Sequence, residues 1–154
     1  MMRRPVRSSA VRAAAAVVAT IAIALVACID RPVKPSLVVR DAWARPADSA
    51  ATTAAYFVIV NHETTTVSLT GAVSPVAESA TLHESMKMDG MVHMTALEAP
   101  QPIVPGDSLV LTEGARHLMV AGLRRAIAPG DSLPLDLRLS DGRVLRVSAV
   151  VRAP

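Results

Sequence analysis

A chain of 154 residues with 16 Lys and Arg against 13 Asp and Glu, a formal charge of +3, has the length of one domain. Its single cysteine, Cys28, excludes an intrachain disulfide and a cysteine-based zinc site, and a blue-copper centre would want a thiolate far from that end of the chain. The excess positive charge belongs to the leader: without Arg3, Arg4, Arg7 and Arg12, 12 basic residues face 13 acidic ones for a net −1. With only Trp43, Tyr56 and Phe57 as aromatics and no basic stretch, the remainder lacks the stacking and phosphate-neutralising surface that nucleic acid requires.

In chain order, residues 1–27 read as a signal peptide, with a basic start, an apolar run from Ala13 to Ala27 and small residues before Cys28. The run is shorter than the ~20 residues of a spanning helix. Leu25-Val26-Ala27-Cys28 resembles a bacterial lipoprotein box, which makes Cys28 the candidate lipidation site. The alternative is an ordinary cysteine in an uncleaved N-terminal anchor. Both readings export the domain and tether it to a membrane. Residues 28–36, with Pro32 and Pro35, read as a tether ahead of a domain over 37–154.

The domain reads as short strands between turns. The expected strands are Leu37 to Trp43, the β-branched and aromatic Ala54 to Asn61, and the alternating Thr65 to Ala72. Ser74-Pro75 breaks the chain before Ser79 to Met88. Asp89-Gly90 predicts a type I′ hairpin, pairing Met88 with Met91, Met86 with His93, Ser85 with Met94 and His83 with Ala96. A proline-rich passage then leads to Pro105-Gly106-Asp107-Ser108-Leu109, echoed by Pro129-Gly130-Asp131-Ser132-Leu133, each a turn that launches a strand. In the second of these strands Leu133, Leu135, Leu137 and Leu139 alternate with polar positions, and Pro134 suggests a sheet edge. Asp141-Gly142 turns the chain into Val144 to Val151. Turns about every 8 to 12 residues and no helical period define an all-β domain, a Greek-key barrel or immunoglobulin-like sandwich.

The chemistry concentrates between His83 and Met119. That stretch holds three of four histidines (His83, His93, His117) and all five methionines outside the leader (Met86, Met88, Met91, Met94, Met119). Thioethers and imidazoles suit copper, Cu(I) especially, where magnesium or calcium would demand oxygen. Thioether sulfur has no proton to lose, so acid does not displace metal from it as from a thiolate. The competing account is that methionines fill gaps in a core. Strand alternation puts His83, Ser85 and Met94 on one face of the hairpin, with His83 and Met94 as diagonal neighbours. Met86, Met88, Met91 and His93 take the other face, where at least two of the methionines are expected to pack inward. The face is otherwise a possible auxiliary copper site or a soft surface over which copper passes. His117 and Met119, two apart on a strand, aim the same way. His62 reads as a solvated turn residue.

The order His83, ten residues, Met94, twenty-two residues, His117-Leu118-Met119 resembles the signature of periplasmic copper chaperones of the PCuAC family, the second spacer being one residue longer. The resemblance runs from about Leu37 to Val151 and includes Asp41-Ala42-Trp43-Ala44-Arg45 and Ser74-Pro75-Val76-Ala77. It implies a cupredoxin-like β-barrel holding Cu(I) with His83, Met94, His117 and Met119. It also implies a recipient in the copper centre of a respiratory oxidase, the dinuclear one of its exported subunit. A second class of function is an adhesion or assembly lipoprotein without metal. An enzyme is not expected: Glu84, the carboxylate nearest the histidines, alternates away from His83, and Ser79 and Ser85 have no visible triad.

Overall fold

The computed structural model describes residues 36–98 and 100–153. The expected signal peptide, Cys28 and the tether up to Pro35 lie outside the described residues. Ten strands follow one another: β1 (Leu37–Ala44), β2 (Thr53–Asn61), β3 (Val67–Val73), β4 (Ser79–Met88), β5 (Met91–Ala96), β6 (Gln101–Ile103), β7 (Ser108–Leu111), β8 (Arg116–Ala121), β9 (Ser132–Leu139) and β10 (Val144–Val151). They form one sheet in the order β5-β4-β8-β2-β1-β10-β9-β3-β6, with β7 on β2. Pairing of β3 with β4 at Ala72 and Ala80 closes the sheet on itself, so the fold is a barrel. β1 and β10 are its parallel pair; the other ladders are antiparallel.

Period-two burial builds the interior. Leu133, Leu135, Leu137 and Leu139 of β9 point inward, as do Ala55, Phe57 and Ile59 of β2 and Leu118 and Val120 of β8. Fully burying such a side chain contributes about 1.5–3 kcal/mol. Buried Asn61, which shares this face with the polar Thr53, is fully engaged. Its Nδ2 donates to the carbonyls of Thr65 (2.9 Å) and Ile103 (2.8 Å), and its Oδ1 accepts from the Glu63 amide (2.9 Å).

Two strands differ from expectation. The proline-rich passage contains β6, whose Pro102 pairs with Ser68 of β3 in the middle of a three-residue ladder; β6 ends the strand order, and on an edge strand a missing donor is tolerated. β9 is not an edge strand: it lies between β10 and β3. Pro134 is accommodated because the β3 ladder stops at Asp136, so β10 is the one strand paired with the proline, through Ser148, and on the other side the Ser74 hydroxyl donates to its carbonyl at 2.7 Å.

The echoed pentapeptides perform the same task twice. Gly106 donates its amide to the carbonyl of Asn61, and the Asn61 amide returns to the carbonyl of Asp107. Gly130 and Asp131 make the equivalent exchange with Val151. Each turn therefore clasps the last residue of a strand, β2 or β10.

The Asp89-Gly90 turn has φ of 52° and 78°, both left-handed as type I′ demands, and β4 and β5 pair in the register the turn predicts. Gly90→Val would force a β-branched residue into that region at a cost of about 1–2 kcal/mol. The expected result is loss of the Ser85–Met94 cross-strand nuclear Overhauser contact with the barrel contacts retained. An unchanged contact would show that the turn does not set the register.

Candidate metal centre

Three strands, β4, β5 and β8, bring the candidate donors to the outer face of the barrel, opposite the apolar interior. β4 lies between β5 and β8, and in the β4–β8 ladder His83 is directly opposite His117 and Thr81 opposite Met119. In the β4–β5 ladder Ser85 is opposite Met94, which places Met94 diagonally from His83 on the same face. Leu82 and Leu118, between the donors, turn inward and are buried. The scaffold thus brings together all of His83, Met94, His117 and Met119.

The two imidazoles have centroids 6.0 Å apart with planes inclined by 33°. Metal–imidazole bonds of about 2.0–2.1 Å put the centroids of two rings that share an ion roughly 6 Å apart, so the observed separation suits a shared cation. His117 is 5% exposed, and its Nδ1 lies 3.0 Å from the Ala115 carbonyl. A carbonyl only accepts, so Nδ1 carries the proton and Nε2 keeps its lone pair. The Thr81 hydroxyl is 3.1 Å from His83 Nε2, while His83 Nδ1 is buried without a hydrogen-bond partner among the described residues. With the proton on Nε2, toward the hydroxyl, Nδ1 is a second bare lone pair. An orphaned buried nitrogen costs about 1–3 kcal/mol, which a cation at that position would relieve. Burial, and then the neighbouring His117, hold the His83 pKa below the usual imidazole value, so the ring favours its neutral form.

Beside these donors is a groove of about 450 Å³ lined by Arg45, Tyr56, Val92, Met94, His117 and Met119. Met94 is half exposed at its lip and Met119 partly buried within. Residues that the sequence reading did not assign to the site surround it. A bulge in β1 between Arg40 and Trp43, with Asp41 at φ 53°, turns Trp43 outward to pair with Tyr56. Trp43 and Tyr56 centroids are 4.5 Å apart, Tyr56 and His117 6.4 Å, and Arg152 sits 4.4 Å above Trp43. The rings of β1, β2, β8 and β4 therefore form a continuous row that backs the donors. Arg45 is held by Glu113 at 2.6 Å, which offsets its charge at the groove. The Tyr56 phenol is pushed up by burial and stays protonated. Only the Asp41-Ala42-Trp43-Ala44-Arg45 motif gave a sequence signal for this surround.

The remaining candidates are elsewhere. Met86 pairs with His93 and Met88 with Met91 on the opposite face of the ribbon. The expectation that at least two of these methionines pack inward is overturned: Met86 is 48% exposed, Met88 55% and Met91 62%. They share the parity of core-facing Leu82, but the ribbon has by then run past the barrel and, among the described residues, no partner strand covers them. His62 is exposed beside the β2–β3 turn. Glu84 faces away from His83 and pairs with Arg116 at 3.3 Å. Among the described residues no three His, Cys, Asp or Glu side chains converge. An ion that needs only nitrogen and oxygen would find two histidines here and little else.

A closed ten-stranded barrel with a His/Met cluster on its outer face has the fold of PCuAC domains. The apo PCuAC domain from PmoF1 superposes with a TM-score of 0.64 at 24% identity over 77% of this chain and 95% of that domain. The Cu(I) form of DR1885 from Deinococcus radiodurans gives 0.54 at 29% identity over 80% and 83%. The chain itself belongs to the LpqE-like lipoprotein family, whose pattern matches residues 37–151. It is also 32% identical over 114 residues, 74% of this chain and 68% of the relative, to "Putative lipoprotein Lxx21020" of Leifsonia xyli subsp. xyli.

Proposed function

We propose that this protein is a non-catalytic, extracytoplasmic copper chaperone that carries Cu(I) on His83, Met94, His117 and Met119. The observation that carries the reading is the cross-strand His83–His117 pair, 6.0 Å between centroids, with a buried nitrogen unpartnered among the described residues and two thioethers on the same face. Two imidazoles and two thioethers form a donor set for a soft ion. Their position at a groove mouth lets a recipient's ligands replace them one at a time. The Cu(I) form of DR1885, similar in fold and 29% identical, supports the choice of cargo. The recipient is a cuproprotein, and we favour the dinuclear copper centre in the exported subunit of a respiratory oxidase. The lipoprotein family supports a membrane anchor through lipidated Cys28 on the periplasmic or equivalent outer side.

X-ray absorption on the Cu(I)-loaded protein is expected to show one copper with two nitrogen and two sulfur scatterers. A shell of oxygen and nitrogen alone would overturn the assignment. The rival reading, an adhesion or assembly lipoprotein whose methionines are core, requires them to be buried; Met86, Met88, Met91 and Met94 are exposed.

A further inference from the structure

The proposed centre leaves unused the other face of the same ribbon, where Met86, Met88, Met91 and His93 stand together. We propose that these four residues form a second, weaker site for a soft monovalent cation, a staging point from which the ion passes to the His83–His117 centre. The staging role rests on the reading of the protein as a copper carrier; the geometry and the donor chemistry do not. Register places Met86 directly opposite His93 and Met88 directly opposite Met91. Directly opposed residues have Cβ atoms about 4.5–5.5 Å apart, and residues two apart on a strand are separated by about 6.6 Å. The four donors therefore occupy the corners of a small rectangle, and flexible thioether arms can close over one ion from those corners.

Three observations make this more than a cluster of residue types. The methionines are 48%, 55% and 62% exposed, so packing does not account for them. The type I′ turn fixes the register, and one residue of slip would put Met91 and His93 on the face opposite Met86 and Met88. Lys87 alternates to the other face, so no cation of the ribbon's own stands among the donors. With three sulfurs and one imidazole, the patch selects Cu(I) or Ag(I) over zinc or magnesium. Its neighbour in sequence completes the path: His93 belongs to this face and Met94 to the other, so adjacent residues belong to the two sites.

Silver(I) titration of the full chain labelled with carbon-13 at the methionine methyls tests the proposal. The first equivalent is expected to shift Met94 and Met119, and the second to shift Met86, Met88 and Met91. The combined variant Met86→Leu, Met88→Leu, Met91→Leu, which keeps the apolar surface, should lose the second step by at least tenfold in affinity and keep the first. Ribbon methyls that stay unmoved past two equivalents while Met94 and Met119 respond would overturn this site and leave the carrier reading standing. Ribbon methyls that respond while Met94 and Met119 stay silent would sink the carrier reading and leave this site in place. A variant that binds silver as the wild type does would also overturn it, marking the exposed methionines as a docking surface.

Discussion

His117→Ala is expected to weaken Cu(I) binding about a hundredfold without unfolding the barrel. Structural metal sites of four ligands bind with roughly 10–16 kcal/mol in total, about 3 kcal/mol per ligand, and each 1.4 kcal/mol is a factor of ten. His117 also has its free nitrogen pre-aimed by the Ala115 carbonyl, so its loss removes an oriented ligand and leaves His83 Nδ1 without the ring opposite it. Competition against a Cu(I) chelator reads the effect. His62→Ala, at an exposed turn, is the control that should leave affinity unchanged. An affinity within threefold of wild type for His117→Ala would remove that residue from the site and with it the pairing on which the function rests.

The second large effect concerns the layer beneath the donors. Leu118 lies between His117 and Met119, is fully buried, and pairs with Leu82 and Ala55. Leu118→Ala is expected to cost about 2–5 kcal/mol through lost burial and the cavity left behind. For a domain of this size that lowers the apo melting temperature by roughly 10–20 °C. Cu(I) at a thousandfold excess over its dissociation constant returns about 4 kcal/mol, so the loaded variant should recover much of the loss. Thermal denaturation with and without metal checks both statements. A fall of under ~5 °C in the apo protein would mean that the face opposite the donors is not the core that holds β8 in place.

What was legible in the sequence was what depends on neighbours along the chain. Asp89-Gly90 dictates a left-handed turn, and period two then fixes which side chain faces which, so Met86 against His93 and Ser85 against Met94 followed from local rules. The same alternation gave the leucine face of β9 and the shared direction of His117 and Met119. What was not legible depends on strand order. Nothing in the spacing says that β8 lies against β4, so the direct His83–His117 opposition emerged only in three dimensions. The outward turn of Trp43 follows from one extra residue at Asp41, a bulge that alternation alone misreads. Pro134 suggested an edge because proline lacks a donor, yet ladders of unequal length let an interior strand carry one. The inward packing expected of the ribbon methionines failed because parity with Leu82 says nothing about where the barrel ends.

The β1–β2 register also orients the whole domain. Leu37, where the described chain enters the barrel, sits opposite Asn61, whereas Met119 pairs with Ala54, seven residues back along β2. At about 3.3 Å per residue the two points are roughly 23 Å apart. The described chain therefore enters the barrel at the pole remote from the donors, and the mouth of the groove is set at the other end of β2 from that entry.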